Sequence, residues 1–409
     1  MAEKVAIVVG GGPAPGINGV IGAVAIEAIN QGREAIGIMD GFKWLSKGDA
    51  SHTVSLNLGH VSRIHLKGGS ILRTSRENPT KSPEKMANVV RALTELGVRY
   101  LVTIGGDDTA YTSSRVEKAA EGKISVCHVP KTIDNDLPLP PGVPTFGYET
   151  AREVGANLVA NLMEDARTAA RWYFVIAMGR SAGHLALGMG TGAGATMTLI
   201  PEELGEKFSL RRVLNILEGA IIKRLSQGKD HGVAVIAEGV AARLDPESCS
   251  FVKDAPRDEH GNIRLAEIPF GTVLKNEVGK ELKEMGVKMT IVAKDIGYEL
   301  RCSPPTAFDR QYTRNLGYSA IRFLLDGGSG AMVLFKDGKT APIPFAEITD
   351  PATGKTRIRT ADINSEIYQT ARRYMIRLNP EDFEGETLTR LAETAKMSPG
   401  EFTKRFSEI

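Results

Sequence analysis

The sequence predicts an α/β protein of two lobes, each a largely parallel sheet flanked by helices. Three observations carry that prediction. Short β-branched runs alternate with longer segments of helical period, the strands end in glycine- or proline-marked turns, and 409 residues suit two or three compact domains. The first run, over 5–9, leads through glycines into a helical segment over 16–30 and a second run over 34–39. Strand, helix and strand in that order form the unit of a parallel sheet. Helical period over 86–96 stops at Gly97, and a strand over 100–104, a helix over 109–120 and a strand over 124–129 follow.

The stretch PLPPGVPTFG, residues 138–147, carries four prolines, which exclude helix and central strand and mark it as a crossing between lobes. Beyond it, runs over 172–177, 233–237 and 289–293 predict the strands of a second lobe, with a long amphipathic helix over 208–225. Residues 245–264 are polar and read as a surface excursion with a turn at His260, Gly261 and Asn262. Segment 378–402 reads as a capped terminal helix and turn that docks on the body. The expected division is therefore a lobe over 1–146 holding the anion and metal chemistry, a second lobe over 147–301, and a region over 302–409 that crosses back between them.

Composition narrows the function classes. Lys plus Arg number 51 against 49 Asp plus Glu, a net charge of +2, which argues against a nucleic-acid coat, an acidic tail or a disordered linker. The three cysteines, Cys127, Cys249 and Cys302, are widely spaced, so neither a disulfide framework nor a structural zinc site is indicated and a reducing cytoplasm is expected. No run of about 18 apolar residues occurs and MAEKVAIVVGGG is not a signal peptide, so no membrane partner is expected.

Three strand-end turns gather residues with chemistry. In GGGPAPGINGV, residues 10–20, glycines let the backbone approach an anion at a helix amino terminus. A dinucleotide fingerprint from Gly10 would need glycine where Pro15 stands and the P-loop lysine is missing, so the segment also suits a tight packing turn. GGDDT, residues 105–109, follows a strand and opens a helix; capping accounts for one of its aspartates more readily than for both. PKTIDND, residues 130–136, ends the next strand, and if the two strands are neighbours Asp107, Asp108, Asp134 and Asp136 converge on one rim. Such a cluster raises its members' pKa values unless a cation sits among them. Mg2+ bound by one or two Asp is typical of phosphoryl-transfer sites.

GGGPAPGIN, GGDDT, PKTIDND and MGRSAGHLAL, in that order over 10–187, together resemble the phosphofructokinase family, and KDIGYELRCSPPTAFDR, residues 294–310, resembles its sugar-phosphate segment. The resemblance implies phosphoryl transfer to fructose 6-phosphate, with Asp134 as the base on the sugar 1-hydroxyl. It implies Mg2+ on Asp107 with Asp136 close by, and Gly12 and Thr132 against the transferred group. Met178, Gly179, Arg180 and Glu238 would line the sugar pocket, and Tyr298, where the family segment carries His, would hold the 6-phosphate with Arg301. Arg171 would reach the sugar phosphate of a neighbouring subunit, which implies a homodimer or homotetramer with a shared site. Lys131, Arg171 and Arg301 would supply positive charge to the phosphates.

Two positions bear on the donor. Family members that use ATP carry glycine after the GGD aspartate and before TIDND; here Asp108 and Lys131 stand there, which resembles the pyrophosphate-dependent branch. Asp108 adds bulk and negative charge where an α-phosphate would lie, while Lys131 can pair with the end of a short donor. The alternatives are an ATP-dependent member and a non-catalytic regulatory subunit, although the latter would be expected to lack one of Asp107, Asp134 and Asp136. Diacylglycerol and NAD kinases share a GGDGT-like motif but not the TIDND and MGR pieces. GMGTGAGA, residues 188–195, fits a dinucleotide pattern but follows a helical segment.

Overall fold

A computed structural model describes residues 3–246, 249, 265 and 268–407. The chain forms two compact units: Met1–Ala151 with Tyr298–Arg359, and Arg152–Gly297 with Thr360–Ile409. Each is a largely parallel sheet flanked by helices, the expected fold class.

In the first unit, β1 (Lys4–Val9) has no polar side: Val5, Ile7 and Val9 enter one core while Ala6 and Val8 enter the other. A strand covered on both faces therefore reads as an unbroken apolar run. The helices Ile17–Asn30 and Ala307–Leu325 cover one face through Ile17, Val20, Leu316 and Ile321. Pro83–Glu95 and Asp107–Ala119 cover the other through Val89, Leu93, Ala110 and Val116. Beside β1 lie β2 (Glu34–Ile38) and β4 (Val98–Gly105), and β5 (Ser125–Thr132) and β11 (Ala331–Lys336) extend the parallel run. Antiparallel strands β3 (Thr53–Leu56) and β12 (Lys339–Pro344) close the edges. The register sets Gly105 opposite Pro130, so the two strands are neighbours and GGDDT and PKTIDND leave the sheet side by side.

The proline stretch is not the crossing. Phe146 and Gly147 form a short strand, β6, on β5, and fully buried Phe146 fixes the run in the first core. The chain instead passes from one unit to the other within the helix Tyr148–Thr168. In the second unit, β7 (Trp172–Ala177), β8 (Met197–Leu199), β9 (Gly232–Ala237) and β10 (Ile291–Ile296) are all parallel, in the order β10, β7, β9, β8. The helix Leu210–Ser226, capped by Ser209, buries Val213, Leu217 and Ile221 against them.

The carboxyl-terminal segment differs from the expected single helix. It forms two, Gly385–Thr394 and Pro399–Arg405, because Pro399 cannot continue the first but starts the second behind a Ser398–Glu401 capping box. Leu391, Phe402 and Phe406 are core residues of this unit rather than a docked appendage. The predicted turn at residues 260–262 lies outside the described residues. Among those described, no helix is long and apolar enough to cross a membrane.

Candidate active site

Glycines in the two motifs divide the work. A Cβ at Gly10 or Gly105 would meet Thr109 Oγ1 at 2.5 or 2.3 Å, so these two are glycine because the strand ends pack on Thr109. Gly11 and Gly12 face charge instead: their Cβ positions lie 3.2 Å from Lys131 Nζ and 3.5 Å from Arg301 Cζ. Lys131 Nζ donates to the Gly12 carbonyl at 2.5 Å. The packing reading of the glycine loop thus holds at Gly10, while Gly11 and Gly12 lie beside cationic side chains.

Asp107 and Asp108 occupy the first turn of their helix and are exposed; the helix start is Gly106, and no side chain caps it. Thr132 Oγ1 accepts the Asp134 N–H at 3.0 Å, bending the chain just past β5 so that Asp134 and Asp136 return toward Asp107. Burial, then the like charges of Asp134 and Asp107, push the Asp136 carboxyl up to about 7. Burial and then the Arg301 guanidinium bring Lys131 down to about 8, against the pull of Asp134, Asp107 and Asp136. Tyr298, 65% exposed, lies under the Arg301 guanidinium at 4.9 Å. Gly12, Asp107, Asp108, Lys131, Thr132, Asp134, Asp136, Tyr298 and Arg301 therefore gather within the first unit. Among the described residues no three acidic, His or Cys side chains stand close enough together to hold a metal ion, so a divalent cation here would rest on one or two of these carboxylates and keep its waters.

In the second unit the sugar-pocket residues share the carboxyl ends of neighbouring strands. Met178 and Gly179 follow β7, Glu238 follows β9, and Glu238 Oε1 accepts the Gly179 N–H at 3.1 Å. Gly179 has φ 142, a conformation side chains rarely adopt, and exposed Arg180 comes next. Arg171 is not with them. It precedes β7, roughly 20 Å away at about 3.3 Å per residue, and its Nε faces Asp165 at 3.8 Å.

A family model described as phosphofructokinase matches residues 4–324. The chain belongs to the phosphofructokinase family. The pyrophosphate–fructose 6-phosphate 1-phosphotransferase of Thermotoga maritima is 54% identical over 412 residues, covering 99% of this chain and 98% of that one. A protein of the same name from Naegleria fowleri is 52% identical over 414 residues, covering 98% and 95%. The fold resembles the crystal structure of a pyrophosphate-dependent phosphofructokinase from Marinobacter aquaeolei, with TM-score 0.68 at 17% identity over 91% of this chain and 90% of that one.

Several residues around this phosphofructokinase site carry no sequence motif. His128, fully buried below the rim, bonds Thr103 Oγ1 at 2.9 Å and the Gly105 carbonyl at 3.1 Å, and burial lowers its pKa to about 3, so it is a neutral prop. Thr74 Oγ1 donates to the Gly11 carbonyl at 2.6 Å and the Gly11 N–H donates to Ser75, which sets exposed Arg76 beside the glycine loop. Arg359, 224 positions from Asn135, donates to its carbonyl at 3.1 Å. Each acts on backbone far away in sequence, and spacing gives no sign of that.

Proposed function

We propose that this phosphofructokinase transfers a phosphoryl group reversibly between pyrophosphate and the 1-hydroxyl of fructose 6-phosphate, giving fructose 1,6-bisphosphate and phosphate. The observation that carries the reading is the convergence of the Gly11–Gly12 loop, three carboxylates and buried Lys131 at the ends of two adjacent strands. The names of the relatives at 54% and 52% identity support it.

Asp134 accepts the proton of the 1-hydroxyl as that oxygen attacks, and Gly12 and Thr132 hold the transferred group between acceptor and leaving phosphate. Lys131 neutralises the donor from below the loop while Asp108 excludes an α-phosphate and the nucleotide behind it. Asp107, with Asp136 beside it, would hold Mg2+, which when bound supplies charge neutralisation at the phosphate oxygens. Tyr298 and Arg301 hold the 6-phosphate, and Met178, Gly179, Arg180 and Glu238 receive the sugar. Arg171, standing away from the pocket residues of its own unit, serves the sugar phosphate of a neighbouring subunit in a homodimer or homotetramer. The reaction belongs to the glycolytic and gluconeogenic interconversion of these sugars, and the widely spaced cysteines suit the cytoplasm.

Initial rates of fructose 6-phosphate phosphorylation with pyrophosphate and with ATP test the assignment. Turnover with pyrophosphate well above that with ATP is expected; equal rates would overturn the donor, and none with either would overturn the reading.

A further inference from the structure

Beyond the motif residues, one side chain grips the turn that carries the proposed base. Arg359 is the last residue of the first unit. Its Nε donates to the Asn135 carbonyl at 3.1 Å, its Nη1 to the carbonyls of Leu139 at 3.2 Å and Val143 at 3.0 Å, and its Nη2 to Asn135 Oδ1. Its own backbone N–H donates to the Asp136 carbonyl at 2.7 Å. Asn135, between the two aspartates, is left-handed at φ 56, a conformation that asparagine adopts more readily than most residues with a side chain. From the other side, the Thr145 N–H donates to the same Asn135 Oδ1 at 3.0 Å and Thr145 Oγ1 donates to the Thr132 carbonyl at 2.8 Å.

We infer that Arg359 is a positioning residue for phosphoryl transfer: its planar fork of donors holds Asn135 by its carbonyl and side-chain oxygens, together with the carbonyls of Leu139 and Val143, in the turn that aims the carboxylates of Asp134 and Asp136. The inference rests on the proposed reaction with Asp134 as base. A lysine cannot replace it, because an ammonium is a single donor centre and cannot span carbonyls spread from residue 135 to residue 143.

The test is a double-mutant cycle on the full chain, with initial rates from pyrophosphate, Mg2+ and fructose 6-phosphate. Arg359→Lys should lower kcat about 10- to 100-fold, the usual effect of removing a group that orients a reacting one, with KM for fructose 6-phosphate changed less than about 3-fold. In an Asp134→Asn background the same change should lower kcat no further, since a residue that acts through Asp134 has nothing left to position. Losses that multiply, an unchanged kcat in Arg359→Lys, or a loss that only tracks the folded fraction would each overturn the inference. Asn135→Gly keeps the left-handed turn accessible while deleting the Oδ1 acceptor, and it should show the same lack of additivity even if Arg359→Lys does not fold; full activity would overturn the inference. An inactive wild type would overturn the reaction itself, an outcome separate from these.

Discussion

Asp136 in the first unit and Glu218 in the second are both carboxyl groups raised to about 7, with burial as the leading cause, yet their neighbours differ in kind. Beside half-buried Asp136 the next contributions are like charges, Asp134 and Asp107. Fully enclosed Glu218 has cations instead: Arg405 at 2.7 Å and Arg211 at 3.9 Å, both shared with Glu281. A raised carboxyl is therefore not in itself a sign of chemistry. What distinguishes the first is a crowd of one sign beside a buried lysine, whereas the second is the middle of an ion-pair network that ties the last helix to the core.

The comparison is broken most sharply by removing one charged group from each region. Asp134→Asn should lower kcat by roughly 10² to 10⁴, the usual worth of a general base, with the circular dichroism spectrum unchanged; near-normal turnover would strip the rim of its role. Arg405→Ala should do the reverse, costing about 3 kcal/mol of stability by leaving Glu218 enclosed with its better partner gone, while kcat per folded molecule stays normal. The two tryptophans separate these effects, since Trp44 lies in the first unit and Trp172 in the second. Urea unfolding followed at each should show the loss at Trp172. Next in size, Lys131→Gly should weaken pyrophosphate use about 10- to 100-fold, as loss of a charged hydrogen-bonding partner does. Adding Asp108→Gly should raise ATP turnover from its wild-type level.

The smallest effect is one of pH. For both carboxyls the folded state keeps a proton that the unfolded chain releases near pH 4, so stability falls as pH rises from there to about 7 and levels off beyond. Glu218→Gln should flatten the share of the second unit. Mg2+ should leave that share untouched and stabilise the protein more at pH 8 than at pH 5, where Asp136 is protonated. Equal stabilisation by Mg2+ at both values would detach the cation from this rim.

How far the sequence revealed these regions depended on where each residue's partners lie. The strand over 172–177 agrees with β7 to the residue, because it is apolar throughout and flanked by Arg171 and by Met178 at the turn. By contrast, β10 runs to Ile296 although apolar character fades at Lys294 and Asp295; both are exposed, and an edge strand tolerates charge that a central strand would not. β5 continues through Pro130 to Thr132, pairing with Gly105 on one side and Phe146 on the other, where a proline alone suggests a stop. The helix after Gly106 takes in Asp107 and Asp108, which read as turn residues. Motif aspartates were legible because the chemistry needs them in contiguous runs at strand ends. Arg359 and His128 were not, since each contacts main-chain atoms whose proximity exists only after folding.

Each unit is assembled from two separated stretches of chain, and this bears on synthesis. The helix Ile17–Asn30 packs against Ala307–Leu325, and the second core waits for Phe402 and Phe406. At roughly 5–20 residues per second, the ribosome needs on the order of 20–70 s to deliver the first unit's last residue, Arg359. Until then the nascent amino-terminal half carries an uncovered apolar face, so this protein is poorly suited to folding piece by piece as it emerges and well suited to chaperone custody until release.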